Sequence, residues 1–228
     1  YQRRVRGMMS RSGSMSLSMS QLCYKVVIMG EASVGKSCLA SQYIDKQFSE
    51  SVATLQAATF QKEVELDDKT IVQVNLWDTA GQERFNSITP MYYRQSAACL
   101  VVFSVCSSSS FEKAKWWINQ IRIDNKKQNI ALIANKCDLT NSLWQIKLEQ
   151  VQLYAAREGV WFYKVSAKTG ENVENAFQNI IQNVYLTPWA FLLYEVSTKR
   201  KTLRYEYNRQ GQKQPTVVRL RSSEHNFR

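Results

Sequence analysis

Apolar residues recur along the chain in short runs that predict β-strands. Two runs, 59–66 and 71–78, alternate apolar with polar side chains and are separated by the turn sequence DDKT, which predicts an antiparallel hairpin. The other runs are continuously apolar, as in strands that are buried on both faces of a sheet. They are 24–30, 98–105, 129–136 and 161–167.

Segments with the helical spacing of apolar residues follow most of these strands. They are 37–45, a helix that begins near the four serines at 107–110, 144–158 and 172–186. Ser109 and Glu112 have the spacing of a capping box for the second helix, and Pro188 is expected to end the last one. Strands that alternate with helices predict an α/β fold with an open sheet.

The apolar pattern divides the chain into a leader (1–22), a body (23–186) and a tail (187–228). With 44% hydrophobic residues among 228, the chain can bury a sizeable core, which we place in the body. We expect the leader, which is rich in Ser and Arg, to be disordered. No clear periodicity predicts regular structure in the tail.

The formal net charge of +11 belongs mainly to the two ends. The leader carries four arginines and no acidic residue, and the tail carries nine basic and three acidic residues, so the body is nearly neutral. A basic excess suggests either nucleic acid or an anionic membrane surface. The body lacks the interleaved aromatic and basic residues of nucleic-acid-binding proteins, so nucleic acid is the weaker alternative and we expect no such partner.

The five cysteines show no paired spacing, which indicates small buried side chains in a reducing, cytoplasmic compartment rather than zinc ligands or disulfides. His225 is the only histidine, which argues against histidine-based catalysis or metal binding. No apolar run approaches the 18 residues of a membrane span.

A glycine-containing loop, GEASVGKS at 30–37, lies between a predicted strand and a predicted helix. This is the context of a P-loop, in which backbone N–H groups surround phosphates. Lys36 would supply a positive charge to the β- and γ-phosphates and act in catalysis, and the Ser37 hydroxyl would coordinate Mg²⁺. The loop residues expected to contact the nucleotide are Gly30, Glu31, Ala32, Ser33, Val34, Gly35, Lys36, Ser37 and Cys38.

A second motif, WDTAGQE at 77–83, ends another predicted strand. Asp78 would hold Mg²⁺ through a water molecule, and the Gly81 N–H would reach the γ-phosphate. Gln82 would orient the attacking water, because phosphoryl transfer depends on positioning and on charge neutralisation. Taken alone, Asp-Thr-Ala-Gly is equally typical of a simple turn.

Two shorter motifs, NKCD at 135–138 and SAK at 166–168, follow the last two predicted strands. The Asp138 carboxylate could accept both donors of guanine, N1–H and the N2 amine, which adenine does not present. Ala167 could offer its backbone N–H to guanine O6. The residues that we expect at the base are Asn135, Lys136, Asp138, Leu139, Ser166, Ala167 and Lys168. All four motifs lie at the carboxyl ends of strands, where open α/β sheets bind ligands.

These motifs resemble those of the Ras-like small GTPases, and the resemblance covers 23–186. WDTAGQERF followed by PMYYR, and TLQAATF at 54–60, are similar to the Rab family and its early-endosomal subgroup. The resemblance implies a P-loop NTPase fold whose six-stranded, mostly parallel sheet has one antiparallel edge strand and is flanked by helices. It also implies a slow GTPase that cycles between GTP and GDP with Mg²⁺ in vesicle trafficking.

The resemblance assigns further residues by position. Thr54 would be the second Mg²⁺ ligand, and Phe48 would pack against the base. Phe60, Trp77 and Tyr92 would form the exposed aromatic triad that effectors recognise; packing in the core is the alternative, with about equal weight for Trp77 and less for Tyr92. The implied partners are an exchange factor, a GTPase-activating protein and effectors, which would bind a monomer at two switch segments around 48–60 and 79–94.

The chain departs from the family pattern at the nucleotide site. The Phe48–Thr54 spacing is one residue shorter than usual and the Thr54–Phe60 spacing one residue longer, which puts the register of Thr54 in question. Ala32 stands where many relatives have glycine beside the γ-phosphate, so slow hydrolysis is expected. The alternative function is therefore a binding module that holds GTP constitutively. A motor and a kinase are disfavoured because the body has no room for motor arms and shows no second substrate pocket with a base.

The end of the chain departs further, because Rab proteins finish with prenylated cysteines and no cysteine follows Cys137. We expect the protein on the cytosolic face of endosomal or other trafficking membranes if it is anchored. The basic tail could attract anionic lipid, although a stable anchor normally needs a lipid chain as well. A solvated tail without a membrane role is the alternative.

Overall fold

The computed structural model describes residues 22–48, 57–79 and 91–187, together with the backbone of 89–90, 203–207 and 213–217. Among these residues, six strands form one sheet in the order β2-β3-β1-β4-β5-β6. All neighbours are parallel except β2, which pairs antiparallel with β3 at one edge. The strands are β1 Leu22–Met29, β2 Ala58–Glu65, β3 Ile71–Asp78, β4 Ala98–Ser104, β5 Ile130–Asn135 and β6 Trp161–Lys164. The predicted sheet, with its single antiparallel edge strand, is confirmed.

Helices cover both faces of the sheet, because each face buries its own apolar cluster. One cluster joins α1 and α5 to the sheet, and the other joins α3 and α4 to the opposite face. In β4, Leu100 and Val102 belong to the first cluster, whereas Val101 and Phe103 belong to the second. The helices are α1 Lys36–Asp45, α2 Thr89–Tyr93, α3 Ser108–Asp124, α4 Leu148–Glu158 and α5 Val173–Leu186.

The predicted capping box at Ser109 and Glu112 is wrong by two residues. The N-cap of α3 is Ser107, whose Oγ accepts a hydrogen bond from the Ser110 N–H at 3.2 Å. The Ser110 hydroxyl donates to the Ser107 carbonyl oxygen at 2.7 Å, which fixes the first turn. The helix therefore starts earlier than the apolar pattern indicates, because serine side chains bond the backbone locally.

Two further elements differ from the predicted bounds. A 3-10 turn at Asn141–Leu143 precedes α4, which begins only at Leu148, and β6 ends at Lys164. The tail contains two strands that the local pattern did not predict. β7 (Leu203–Tyr207) and β8 (Lys213–Val217) pair antiparallel with each other. Of the leader (1–22), which we expected to be disordered, residues 1–21 lie outside the described part of the chain, whereas Leu22 begins β1.

Within the described part of the chain, no helix is both long and apolar enough to cross a bilayer.

Candidate nucleotide-binding site

The loop between β1 and α1 depends on two glycines. Gly30 has φ +146°, and a Cβ on it would lie 2.2 Å from the carbonyl oxygen of Val102 in β4. Gly35 has φ +94°, and a Cβ there would lie 2.5 Å from the Asn135 side-chain nitrogen. Both conformations disfavour other residues, and both positions lack space for a side chain. The loop therefore packs its backbone directly against the ends of two neighbouring strands.

Lys36 lies across this loop and points its amine at the backbone. Its Nζ donates to the carbonyl oxygens of Gly30 at 3.1 Å and Glu31 at 2.8 Å, and the residue is only 6% exposed. Burial lowers the pKa of Lys36 to about 8, and the charges of Asp78 and Glu31 oppose that shift. A buried amine whose hydrogen-bond partners here are neutral carbonyls is suited to receive an anion.

Ser37 and Asp78 meet where α1 begins and β3 ends. The Ser37 hydroxyl donates to Asp78 Oδ2 at 2.5 Å, whereas the buried Oδ1 has no hydrogen-bond partner. Burial raises the pKa of the Asp78 carboxyl, and the Ser37 hydrogen bond and Lys36 oppose the shift. Mg²⁺ prefers oxygen ligands and often uses only one or two carboxylates together with substrate phosphates. An unpartnered carboxylate oxygen beside a hydroxyl therefore fits Mg²⁺.

The start of the second predicted switch is attached to β1. The Thr79 hydroxyl donates to the Ile28 carbonyl oxygen at 2.8 Å, and Thr79 is 5% exposed. Because Thr79 directly follows Asp78, this bond holds the end of β3 beside the phosphate loop.

Asn135 joins the phosphate loop to the loop after β6. Its side-chain nitrogen donates to the Val34 carbonyl oxygen at 2.9 Å, and its side-chain oxygen accepts from the Ala167 N–H at 3.0 Å. Asn135 is 1% exposed. The Ala167 N–H, which we predict to serve guanine O6, donates to Asn135 here, and its role at guanine stays a prediction.

Asp138 is oriented by the same loop. Ser166, which is fully buried, donates from its hydroxyl to Asp138 Oδ1 at 2.7 Å and accepts from the Thr169 N–H at 3.1 Å. Lys136 adopts φ +66°, a left-handed conformation that is uncommon for lysine. Backbone strain of this kind clusters at binding sites, where the surrounding structure maintains it. The carboxylate that we predict to read guanine is thus held in a fixed position.

The remaining predicted residues fall into three groups. Glu31, Cys38 and Leu139 are half-buried near these loops, whereas Ala32, Ser33 and Lys168 are exposed. Phe48 is 39% exposed, at the end of the segment that follows α1. Thr54, Gly81 and Gln82 lie outside the described residues, so their roles stay predictions.

The structure brings together two of the three predicted effector aromatics. The rings of Trp77 and Tyr92 have centroids 6.3 Å apart. Phe60 pairs across the hairpin with Leu76 and packs against the core, whereas Thr59 pairs with Trp77. Because neighbouring strand residues point to opposite faces, Phe60 and Trp77 lie on opposite faces of the hairpin. The place of the partly buried Phe60 in the effector triad stays a prediction.

Lys25 is a residue of this surface that the motifs did not indicate. Its Nζ lies 4.8 Å from the centroid of the Trp77 ring and donates to the Arg94 carbonyl oxygen at 3.5 Å. Burial lowers the pKa of Lys25. No local pattern in β1 could have predicted this contact with a tryptophan of β3, because the contact depends on strand pairing.

The fold and this arrangement of loops define a P-loop nucleotide-binding protein. The family model described as "Ras family" matches residues 25–186. Ras-related protein RABF2b of Arabidopsis thaliana is 39% identical over 162 residues, which cover 70% of this chain and 80% of the relative. Rab5A of rice is 37% identical over 162 residues, with 70% and 79% covered. GTP-binding protein ypt5 of Schizosaccharomyces pombe is 37% identical over 164 residues, with 71% and 78% covered. The chain belongs to the Ras family, whose members are small GTPases that bind GTP and GDP, generally with Mg²⁺.

Proposed function

We propose that this protein is a Rab-type molecular switch that binds GTP and GDP with Mg²⁺ and hydrolyses GTP in endosomal vesicle trafficking. The observation that carries the proposal is the position of Asn135, which joins the phosphate loop through Val34 to the predicted base loop through Ala167. One buried side chain thus fixes the distance between a phosphate site and a base site. The similarity to Rab5-type proteins supports the same function.

Phosphate binding falls to the first loop. Lys36, already bonded to two loop carbonyls, would donate to the β- and γ-phosphates. Ser37 and Asp78 would hold Mg²⁺, the first directly and the second through water, and Thr54 would complete the site. Mg²⁺ supplies charge neutralisation at the phosphates. The Gly81 N–H would contact the γ-phosphate, and Gln82 would orient the attacking water.

Base selection falls to Asp138. Its carboxylate would accept from N1–H and the N2 amine of guanine, while the Ser166 hydroxyl holds one of its oxygens at 2.7 Å. Hydrogen bonds to a charged acceptor are worth about 1.5–3 kcal/mol each, so two of them give more than 100-fold discrimination against adenine. Phe48, Lys136 and Lys168 would flank the base.

Calorimetry with GDP, GTP and ATP in the presence of Mg²⁺ tests this function. We expect both guanine nucleotides to bind at least 100-fold more tightly than ATP. Asp138→Asn should lose this preference and gain affinity for xanthosine diphosphate, because an amide donates to the xanthine O2. The matched control is Asp45→Asn, an exposed residue at the end of α1. Equal affinity for GTP and ATP in the unaltered protein would overturn the proposal.

The partner proteins and the membrane are the second half of the proposal. An exchange factor, a GTPase-activating protein and effectors would bind around Trp77 and Tyr92, whose rings lie together. The tail, with nine basic and three acidic residues, would attract an anionic membrane surface, worth about 1 kcal/mol per basic residue near the lipid. Retention on phosphatidylserine vesicles should fall when 187–228 is deleted. Retention of RNA rather than vesicles would contradict a membrane role for the tail.

A further inference from the structure

The short helix α2 is held by one side chain of α3. Tyr93, which ends α2, is 4% exposed, and its hydroxyl donates to Asp124 Oδ2 at 2.7 Å. Asp124 is the last residue of α3, and its carboxylate also lies 3.7 Å from the Arg94 guanidinium. A helix of five residues is not stable alone, so α2 depends on such tertiary contacts.

The backbone of Tyr93 is fixed from the same side. Its carbonyl oxygen accepts from the Ser96 N–H at 3.1 Å and from the Ser96 hydroxyl at 2.7 Å. Gln128, in the segment that follows α3, donates to the Ser96 carbonyl oxygen at 3.0 Å and to its hydroxyl at 3.2 Å. Ser96 and Gln128 are both buried, so α2 ends on a network of satisfied hydrogen bonds.

The orientation of Tyr93 sets that of its neighbour Tyr92. Successive residues of an α-helix point about 100° apart, so a Tyr93 that faces the core directs Tyr92 along the surface. There the Tyr92 ring lies 6.3 Å from that of Trp77, and Met91 is 65% exposed. The Lys25 amine lies 4.8 Å from the centroid of the Trp77 ring and donates to the Arg94 carbonyl oxygen.

We propose that Asp124 is a positioning residue for the second switch: through the Tyr93 hydroxyl it fixes α2 so that Tyr92 stays beside Trp77 on the surface offered to partner proteins. The role of this surface in partner binding rests on the proposed function, whereas the contact between Asp124 and Tyr93 does not. Among the described residues, Asp124 contacts the switch through the Tyr93 hydroxyl at 2.7 Å and, more weakly, through the Arg94 guanidinium at 3.7 Å.

Amide hydrogen exchange of residues 89–97 tests the contact. Tyr93→Phe and Asp124→Ala each remove the hydrogen bond, and we expect exchange about 10-fold faster there, since 1.4 kcal/mol is a factor of ten. The double variant should be no faster than Asp124→Ala alone, because that variant already lacks the bond that Tyr93→Phe removes. Unchanged exchange, or additive effects, would overturn the proposal.

Two matched controls separate this contact from general damage to the helices. Glu112→Ala removes a carboxylate from the same helix, where it pairs only with Lys115 on the described surface, and Tyr154→Phe removes a tyrosine hydroxyl from α4. Neither should change the exchange of residues 89–97. Equal acceleration in the controls would count against a specific role of Asp124.

A spectroscopic readout separates positioning from a merely structural role. In protein labelled with 5-fluorotryptophan, the Trp77 ¹⁹F resonance, assigned with Trp77→Phe, should shift in Tyr93→Phe and Asp124→Ala. Asp124→Asn, which keeps an acceptor oxygen, should restore it in part. A lower unfolding temperature with an unmoved Trp77 resonance would show a structural role alone. The affinity for GDP, measured on the same variants, should stay within twofold of that of the unaltered protein. If neither the unaltered protein nor any variant binds GDP, the proposed function is refuted instead.

Discussion

The side-chain nitrogen of Asn135 lies 2.9 Å from the carbonyl oxygen of Val34, although 101 positions separate the two residues along the chain. Its side-chain oxygen accepts from Ala167, so one buried amide supports both predicted halves of the nucleotide site. A ligand that bridges these halves would therefore depend on this amide.

Replacement of Asn135 by Ala should therefore weaken nucleotide binding. The change leaves the Val34 carbonyl and the Ala167 N–H unpaired, at about 1 kcal/mol each, which corresponds to roughly 30-fold in affinity. Release of a fluorescent GDP analogue measures the effect. Asn129→Ala is the control, since Asn129 bonds Ala97 and Thr187 and none of the motif residues. An equal effect of both variants would contradict a specific role for Asn135.

The buried charge of Lys36 should give stability a measurable pH dependence. Its pKa falls from 10.5 to about 8 in the folded protein, so between these values the unfolded chain binds more protons and stability rises with pH. The free energy of unfolding of nucleotide-free protein, measured in urea, should rise relative to Lys36→Met by on the order of 1–2 kcal/mol from pH 8 to pH 10.

The comparison with Lys36→Met is essential, because buried thiols act in the opposite direction. Burial raises the pKa of Cys137 to about 11, which lowers stability as pH rises, but equally in both proteins. A constant difference between the two proteins over this range would show that Lys36 keeps an ordinary pKa.

Gln82→Leu should slow single-turnover GTP hydrolysis by about tenfold or more, equivalent to about 1.4 kcal/mol of the barrier. The reason is that leucine cannot orient a water molecule for attack. GTP affinity should stay unchanged, because the base and phosphate loops are intact. Equal rates in the two proteins would favour the alternative, a module that holds GTP constitutively.

Phe60 should contribute to the stability of the fold. Phe60→Ala should lower the free energy of unfolding by about 1–3 kcal/mol, because the ring packs against the core. Thr59→Ala, at the exposed neighbouring position, should stay within about 0.5 kcal/mol of the unaltered protein. Urea unfolding measures both, and a larger loss from Thr59→Ala would reverse the faces that the structure assigns.

The order of β1 to β6 and of the four longer helices, and the positions of the four motifs, could be predicted from the sequence, because apolar spacing and glycine placement act over a few residues. The short helix α2 was not predicted. Element ends were less predictable: the N-cap of α3 moved to Ser107, since several serines compete for the same backbone N–H groups. The strands β7 and β8 were missed because the alternation in Leu203–Tyr207 extends over only five residues and the partner segment, Lys213–Val217, is mostly polar and contains a proline.

The sequence by itself determined that this protein builds an α/β sheet with a P-loop and with guanine-type motifs at the ends of its strands. Tertiary structure alone decided which side chains meet. It places Phe60 on the face opposite Trp77, and it brings Asn135 to Val34 and Tyr93 to Asp124. The physical reason is that strand register and helix packing bring together residues far apart in the chain, and a shift of one residue reverses the face on which a strand side chain lies.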